Sequence, residues 1–431
     1  MTHGAADQAR WGGAETGEPA DGALYLFPEL ARASWWRALL ALERVLGAAA
    51  TEAAVEAAYA RLLGALAASG YADLRRAAAT ELLGGHGPLD AYAARSVPAG
   101  LLFALERDLG QIDRLTAKDY FSLAAGRLAA DPPPLNHLAE DLPPGVLGEA
   151  VAAAEAALAA ETPKLRVTRF VETLSRFGSG PAALHRALRF EHGELVGLTH
   201  PDLPEWSQLV GLDQQLERLA ANVEALLAGA AAHHTLLYGP RGSGKSTAVR
   251  GLLARFAGSA LRLVEVPPSQ LERLPDLIER LRRQPTSFVL YVDDLAFEEG
   301  ETGYRPLKSL LEGSLARRPA NLIVVATSNR RHLVRERISD RPMPEDDVHG
   351  WDTHHEKLAL ADRFGLTITF PSTGQRDYLQ LVRALAALRG VSDFSEEQAV
   401  RFAEWGNGYS GRTARQYLDE LVGPGAFKPD S

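Results

Sequence analysis

A glycine-rich turn between an apolar run and an amphipathic segment constrains this chain more than any other feature. The apolar run is Thr235–Tyr238, and the turn that follows at once reads Gly239-Pro240-Arg241-Gly242-Ser243-Gly244-Lys245-Ser246. Its spacing fits Gly-x-x-x-x-Gly-Lys-Ser/Thr, a loop whose backbone N–H groups cradle phosphates. Glycine lets the backbone curl around an anion, and the amino end of the next helix adds partial positive charge there.

The residues that end the turn carry the expected chemistry. The Lys245 ammonium can reach the β- and γ-phosphates of a nucleotide, and the Ser246 hydroxyl can ligate Mg²⁺. Thr247 continues the segment into a helix, because apolar residues recur on one helical face at positions Val249, Leu252, Leu253 and Phe256. Strand, loop and helix in this order are the context that the motif requires. The sequence therefore predicts a nucleotide phosphate site over residues 239–247.

Composition bounds the class of protein. The chain has 431 residues, 46% of them hydrophobic and 23% charged, which is enough to bury two or three domain cores. The formal net charge of −9 disfavours a protein that coats nucleic acid with its whole surface. The absence of cysteine excludes disulfides, thiolate metal sites and cysteine nucleophiles. No signal-peptide pattern or uncharged bilayer-length span is visible, so we expect a cytoplasmic protein without a membrane partner.

The apolar pattern changes along the chain and predicts five segments. Residues 1–22 are polar and glycine-rich, which predicts a disordered tail, and residues 23–192 have the pattern of an all-helical N-terminal domain. Glycine and proline interrupt any period at 193–206, the predicted linker. Strand and helix patterns alternate over 207–371, the predicted core, and residues 372–425 are helical again.

Apolar runs within the core predict five strands. They lie at 235–238, 261–266, 288–292, 322–327 and 366–370. Strands that alternate with helices form a mostly parallel sheet covered on both faces. We therefore expect an α/β fold: a three-layer αβα domain with a five-stranded sheet and a small helical lid, preceded by an all-α N-terminal domain.

Polar side chains follow two of the predicted strands. Asp293 and Asp294 come directly after residues 288–292, and Asn329 follows the strand that starts at residue 322. Beside a phosphate loop, Asp293 would hold Mg²⁺ through water and Asp294 would orient or activate an attacking water. Asn329 could contact the γ-phosphate or position the same water. Solvated acids at a strand end are the alternative interpretation.

These motifs, in this order, resemble the AAA+ branch of P-loop ATPases over residues 205–421, half of the chain. The resemblance implies ATP and Mg²⁺ as ligands and Asn329 as the first sensor. Arg363, in Leu-Ala-Asp-Arg-Phe-Gly, looks like the arginine finger, which reaches into the site of a neighbouring subunit. Arg412, in Ser-Gly-Arg, looks like the second sensor on the helical lid.

Other segments extend the resemblance. Val210 and Gly211 lie in a stretch that is similar to the segment beside adenine in that superfamily. Four longer segments resemble one bacterial family, catalogued as an ATP-binding protein of unknown function (domain of unknown function, family 815). They are residues 293–298, 307–313, 326–333 and 360–366. This closer resemblance implies a fold and an ATPase core, and no biological role.

The chain also departs from the superfamily pattern. Most AAA+ proteins end the second strand motif in Asp-Glu, whereas Asp293-Asp294 is the ending found in bacterial replication initiators and helicase loaders. Residues 267–271 contain no aromatic side chain, which disfavours a peptide-threading unfoldase. No Asn-Lys-x-Asp motif follows the phosphate loop, so ATP is preferred over GTP.

Two clusters after the first sensor have weaker interpretations. Five basic residues are Arg330, Arg331, Arg335, Arg337 and Arg341. They could contact nucleic acid, although a solvated or inter-subunit face is favoured because no aromatic residues interleave with them. His349, His354 and His355 lie near Asp352, but their spacing fits no helical face or known metal pattern, so we expect no metal there.

The predicted function is Mg²⁺-dependent ATP hydrolysis by a homo-oligomer that remodels or loads an unknown protein client. Two alternatives stay open. The Asp-Asp ending motivates a nucleotide-gated binding or scaffold module with slow hydrolysis. The arginine cluster motivates a helicase-loader-like ATPase that binds DNA.

Overall fold

The protein is represented by a computed structural model, which describes residues 23–71, 73–135, 142, 145–295, 305–312, 319–329, 363–406 and 408–422. Several predicted features lie outside these residues. They are the tail at 1–22, the arginine cluster at 330–341, the histidine cluster at 349–355 and the last predicted lid residues, 423–425.

Helices predominate in the described chain before residue 187. They are α1 (Pro28–Arg32), α2 (Ser34–Gly47), α3 (Glu52–Ser69), α4 (Leu74–Gly84), α5 (Ala99–Thr116), α6 (Tyr120–Ala125), α7 (Gly148–Leu158), α8 (Pro163–Phe177) and α9 (Pro181–Leu184). Local signals fix their ends: the Thr51 hydroxyl accepts from Ala54 N at the start of α3, and Gly70 ends α3 with a φ of 75°. Trp35 and Trp36 are fully buried in the core that these helices share.

Seven strands form one sheet in the described part of the chain. They are β1 (Ala187–Glu191), β2 (Glu194–Gly197), β3 (Thr235–Tyr238), β4 (Leu261–Glu265), β5 (Ser287–Val292), β6 (Leu322–Ser328) and β7 (Leu366–Thr369). Their order is β2-β1-β4-β5-β6-β3-β7, and each neighbouring pair except β1–β2 is parallel. All five predicted strands are present and the α/β fold class is confirmed, but the sheet has two strands more than expected.

The two additional strands form a hairpin that the sequence did not predict. β1 pairs antiparallel with β2 around His192 and Gly193, which have φ values of 51° and 84°. β1 also pairs in parallel with β4, so the hairpin is part of the sheet. The structure therefore differs from the prediction of an all-helical region up to residue 192. The predicted linker at 193–206 begins inside this hairpin. The sequence missed the two strands because they are too short to show a clear alternation of apolar and polar residues.

Helices cover both faces of the sheet. On one face lie α10 (Asp213–Leu227), α11 (Lys245–Arg250) and α12 (Leu252–Arg255), and on the other lie α13 (Leu274–Leu281) and α14 (Arg305–Glu312). Residues of β5 alternate between the two cores: Val289 and Tyr291 pack on the α11 side, and Phe288 and Leu290 on the α13 side. A parallel strand that is buried on both faces must be apolar throughout, which explains the continuous run in β5.

The described chain after β7 is helical. It contains α15 (Gln375–Arg389), α16 (Glu396–Trp405) and α17 (Gly411–Val422). These helices have a core of their own around Tyr378, Val382 and Leu418. We call them the lid. Among the described residues, no helix of the protein combines the length and the apolar character needed to cross a membrane.

Polar contacts join the N-terminal helices to the sheet. Ser179 N donates to Gln284 Oε1 at 2.9 Å, and Gln284 Nε2 donates to Ser179 Oγ at 3.2 Å. Arg262 of β4 is 2% exposed, and its Nε donates to Ala182 O at 2.7 Å. The helices are therefore packed against the sheet through buried groups, in addition to the chain that connects them.

Candidate nucleotide site

The predicted phosphate loop connects the carboxyl end of β3 to the amino end of α11. Gly242 and Gly244 both have left-handed backbones, with φ values of 76° and 96°. A Cβ on Gly242 would lie 2.8 Å from the Ser410 side chain, and one on Gly244 would lie 2.9 Å from Leu209 Cδ2. Glycine is therefore needed twice over, for the curl of the loop and for the close approach of the segments on either side.

Lys245 is held at the base of this loop. Its side chain is 6% exposed, and Nζ donates to Gly239 O at 2.7 Å, Pro240 O at 2.8 Å and Asn329 Oδ1 at 2.9 Å. Burial of the ammonium lowers its pKa, and the nearby Asp293 and Asp294 carboxylates oppose that change. All three donors of the ammonium are thus aimed at the point where the loop, β3 and β6 meet.

The predicted metal ligands are in contact. Ser246 Oγ donates to Asp293 Oδ1 at 2.8 Å, and Thr327 Oγ1 donates to the same oxygen at 2.6 Å. Partial removal of Asp293 from water raises its pKa, but the hydrogen bonds from Thr327 and Ser246 and the nearby Tyr291 hydroxyl lower it by more, so the net pKa is lowered. The carboxylate is therefore kept charged beside the loop.

Asp294 has an unusual backbone conformation. Its φ is +48°, a left-handed value that aspartate tolerates better than most side chains because it can hydrogen-bond locally. Asp294 N donates to Thr327 Oγ1 at 2.9 Å, and Asn329 Nδ2 donates to Asp294 Oδ1 at 2.7 Å. Asn329 therefore bridges Asp294 and Lys245, and the turn aims the second acid at the sensor position.

These side chains line one open cleft of about 770 Å³. Most of the predicted nucleotide-binding residues lie on its wall: Val210, Gly211, Arg241, Gly242, Ser243, Gly244, Lys245, Ser246 and Thr247. Asp293, Asp294 and Asn329 line it as well. Gly239 and Pro240 are not among the lining residues, and their carbonyl groups instead hold Lys245.

The lid forms the far wall of the cleft. Gly411 N donates to Gly242 O at 3.2 Å, so α17 begins directly on the phosphate loop. Arg412 lines the cleft, as the sequence predicted for a lid arginine. Arg415 and Arg250 also line it and were missed. A spacing of three residues from Arg412 places Arg415 on the same face of α17, which is the signal that could have found it.

Arg363 lies elsewhere. It precedes β7, whose first residue Leu366 pairs with Thr235, the first residue of β3. The loop after Tyr238 is at the opposite edge of the sheet, and a four-residue strand spans roughly 13 Å. Arg363 is accordingly not among the described residues that line the cleft of its own chain.

The donor chemistry fits Mg²⁺. This ion takes hard oxygen ligands and is commonly held by one or two protein side chains together with phosphates and water. Ser246 Oγ and Asp293 Oδ1 are such oxygens, 2.8 Å apart at the edge of the cleft. The buried Tyr291 hydroxyl, which has no hydrogen-bond partner among the described residues, lies behind them.

Comparison with known proteins identifies the family. A profile described as "Protein of unknown function (DUF815)" matches residues 182–425, more than half of the chain. The chain belongs to this family. The prediction of an AAA+ P-loop ATPase that resembles family 815 is therefore confirmed.

Two curated relatives resemble this DUF815 protein in part. The Holliday junction branch migration complex subunit RuvB of Parasynechococcus marenigrum is 31% identical over 186 residues, 42% of this chain and 49% of its own. RuvB of a Synechococcus species is 30% identical over 200 residues, 46% and 53% of the two chains. The DUF815 chain thus spans about half the length of the curated relatives it matches.

Solved structures of RuvB also align with it. The Thermotoga maritima RuvB Holliday junction branch migration motor has a TM-score of 0.35 and 16% identity, covering 51% of this chain and 65% of that one. A threonine-to-valine variant of the Thermotoga protein has a TM-score of 0.36 and 18% identity with the same coverage.

Proposed function

We propose that this DUF815 protein binds and hydrolyses ATP in a Mg²⁺-dependent reaction, as the ATPase subunit of a homo-oligomer. The observation that carries the proposal is one connected set of contacts across the carboxyl edge of the sheet. Ser246 binds Asp293, Thr327 binds both acids, and Asn329 joins Asp294 to Lys245. Phosphoryl transfer needs this combination of cation, metal ligands and water-orienting groups at one point.

Binding begins at the loop. Backbone N–H groups over residues 241–247 would bind the phosphates, and Lys245 would add a positive charge. The three donors of Lys245 are already engaged, so a phosphate must replace at least one of its protein acceptors. Exchange of the Asn329 contact would release that amide toward the γ-phosphate. Val210 and Gly211 would flank the base at the other end of the cleft.

Hydrolysis would use the acids and the sensors. Ser246 and Asp293 would hold Mg²⁺, which when bound neutralises charge on the β- and γ-phosphate oxygens. Asp294, held by Asn329, would accept a hydrogen bond from the attacking water and so orient it. Arg412 would stabilise the terminal phosphate from the lid.

An oligomer would complete the site. Arg363 lies at the sheet edge opposite its own phosphate loop, so we propose that it serves the cleft of a neighbouring subunit. Arginine fingers of this kind raise phosphoryl-transfer rates by roughly 10³–10⁵. The helices before residue 187 would then present an unknown protein client to the oligomer.

The first experiment removes the ammonium. In Lys245→Ala, we expect binding of a fluorescent ATP analogue and ATP turnover both to fall below detection, because the phosphates lose their main cation. The matched control is Lys164→Ala on the exposed surface of α8, which should behave as wild type. Thermal melting of both variants checks that the fold is kept. Wild-type turnover in Lys245→Ala would falsify the assignment.

Turnover also separates hydrolysis from nucleotide gating. The Asp294 side chain is one methylene shorter than the glutamate at this position in most AAA+ proteins. This difference supports the alternative of a nucleotide-gated module that hydrolyses ATP slowly. A steady-state rate measured with saturating Mg·ATP decides between the two. If the protein binds ATP tightly and shows no turnover, either by itself or with added cell lysate, the nucleotide-gated module is the better interpretation.

A second candidate function is ATP-driven work on DNA. It is favoured by the 31% and 30% identity to RuvB subunits named for Holliday junction branch migration. Fluorescence anisotropy with duplex and four-way junction DNA at rising salt tests it. Binding that weakens with salt, and that Arg330→Ala with Arg331→Ala abolishes, would support this function. No binding at low salt would eliminate it.

A further inference from the structure

One hydroxyl group beside the cleft has no role in the site as described so far. Tyr291 is 3% exposed, and its Oη has no hydrogen-bond partner among the described residues. Leaving a buried hydroxyl without a hydrogen-bond partner destabilises the folded state. Residues 288–292 read Phe-Val-Leu-Tyr-Val, so this is the one hydroxyl in an otherwise apolar buried run. A phenylalanine would fill the same space without that cost.

Strand geometry aims Tyr291 at the proposed metal ligands. Side chains alternate along a strand, so residues 289, 291 and 293 lie on one face. Val289 and Tyr291 are in the core under α11, and Asp293 continues that row to the Ser246 contact. The Tyr291 hydroxyl consequently faces Asp293 and Ser246 from below.

The neighbouring strand β6 places a second hydrogen-bond donor, Thr327, beside Asp293. Tyr291 pairs with Val325 and Val292 with Ala326, so Thr327 lies beside Asp293. Ser246 and Thr327 both donate to Oδ1 of Asp293. A carboxylate accepts at two oxygens and about four lone-pair positions, so Asp293 has capacity for another donor.

We propose that Tyr291 is a positioning residue for the Mg²⁺ site: its hydroxyl donates to Asp293 in the Mg·nucleotide complex and fixes the orientation of that carboxylate. The inference rests on the proposed function, because it needs Mg·nucleotide in the cleft. Groups behind a metal ligand commonly change metal affinity by about 10- to 100-fold. Tyr291 touches no reacting atom and acts only through Asp293.

The test compares nucleotide binding with and without the metal. Tyr291→Phe removes the hydroxyl and keeps the ring. A fluorescent ADP analogue is titrated in EDTA and again in excess Mg²⁺, with Tyr59→Phe as the matched control, since the Tyr59 hydroxyl donates to Pro133 O far from the cleft. We expect all three proteins to have the same Kd in EDTA. In Mg²⁺, the increase in affinity should be roughly tenfold smaller in Tyr291→Phe than in the wild type and in Tyr59→Phe.

A double-variant cycle tests the route through Asp293. In the Asp293→Asn background, Tyr291→Phe should cause no further loss of the Mg²⁺-dependent gain. An equal loss of affinity in EDTA and in Mg²⁺ would show a packing role and overturn the inference. The same Mg²⁺-dependent gain in affinity as in the wild type would also overturn it. If Tyr291→Phe does not fold, Tyr291→Met removes the hydroxyl with an adaptable side chain and is judged by the same criteria.

The two proposals can fail separately. A wild-type protein that binds nucleotide no better with Mg²⁺ than with EDTA would overturn the proposed function. A wild-type protein with a normal Mg²⁺-dependent gain, matched by an identical gain in Tyr291→Phe, would overturn only the role of Tyr291.

Discussion

At the scale of single residues, Thr327 connects the two acids of the site. Its hydroxyl donates to Asp293 Oδ1 and accepts from Asp294 N, while its carbonyl accepts from Leu295 N at 2.7 Å. The side chain is 1% exposed, so water does not compete for these bonds. One buried threonine therefore holds Asp293 against Ser246 and also supports the left-handed backbone at Asp294. A side chain of the same shape without the hydroxyl would lose both functions.

We predict that Thr327→Val lowers ATP turnover by roughly 10- to 100-fold and changes the Kd for ATP by no more than about threefold. The change removes two hydrogen bonds, one to the charged Asp293 carboxylate and one from the Asp294 backbone N–H, and the bond to the charged group alone contributes about 1.5–3 kcal/mol. Turnover and fluorescent-nucleotide titration measure the two effects. Thr235→Val, at the other end of the sheet, is the control for loss of a buried threonine hydroxyl. A similar loss of turnover in both variants would contradict the role of Thr327.

At the scale of elements, the phosphate loop is clamped between two other segments. The lid touches it through Gly411 and Ser410, and the segment before α10 touches it through Leu209. Trp206 Nε1 also donates to Ala248 O at 2.9 Å, one turn into α11. Contacts on both sides mean that the loop conformation depends on the lid, and nucleotide binding should depend on the same contacts.

We predict that Gly242→Ala weakens nucleotide binding at least about tenfold. A methyl group there would meet Ser410, 2.8 Å away, and separate the lid from the loop. Gly258→Ala is the matched control, because Gly258 has almost the same φ, +77°, with nothing within 4 Å of its Cβ position. Both variants should lose about 1 kcal/mol of unfolding free energy from the left-handed backbone. Equal nucleotide affinities in the two variants would argue against the clamp.

At the scale of the whole molecule, the two edges of the sheet carry different parts of the proposed reaction. The loop, the acids and Asn329 lie at the carboxyl edge, and Arg363 lies at the amino edge before β7. A single chain cannot bring these edges together without breaking the sheet. The arrangement therefore favours catalysis between subunits.

We predict that Arg363→Ala keeps ATP affinity and loses turnover by roughly 10³-fold or more. Asp294→Asn should lose turnover as well. Mixing the two proteins should restore partial activity, because one interface then has an intact Asp294 and an intact Arg363. The control mixes Arg363→Ala with a chain that carries both substitutions, where no interface is complete. Failure of rescue together with a monomeric active enzyme would exclude action between subunits.

The sequence alone determined the features that depend on short stretches of chain. Continuous apolar runs alternating with helical patterns gave the five core strands, and the spacing from Gly239 to Ser246 located the phosphate loop, because backbone conformation and burial leave local signatures. Asp293, Asp294 and Asn329 were found for a related reason: the carboxyl ends of parallel strands meet at one edge. The resemblance to AAA+ ATPases also predicted that Arg412 lies on the lid.

Only the tertiary structure decided the rest. The hairpin of β1 and β2 is held in the sheet because β1 pairs with β4, 76 residues away. Its short strands carry no clear local pattern. Thr327 and Tyr291 look like ordinary strand residues until the register of β5 and β6 sets them beside Asp293. The left-handed turn at Asp294 likewise depends on Thr327 and Asn329, 33 and 35 residues away. Such roles arise from contacts between distant segments, and a pattern confined to one segment cannot encode them.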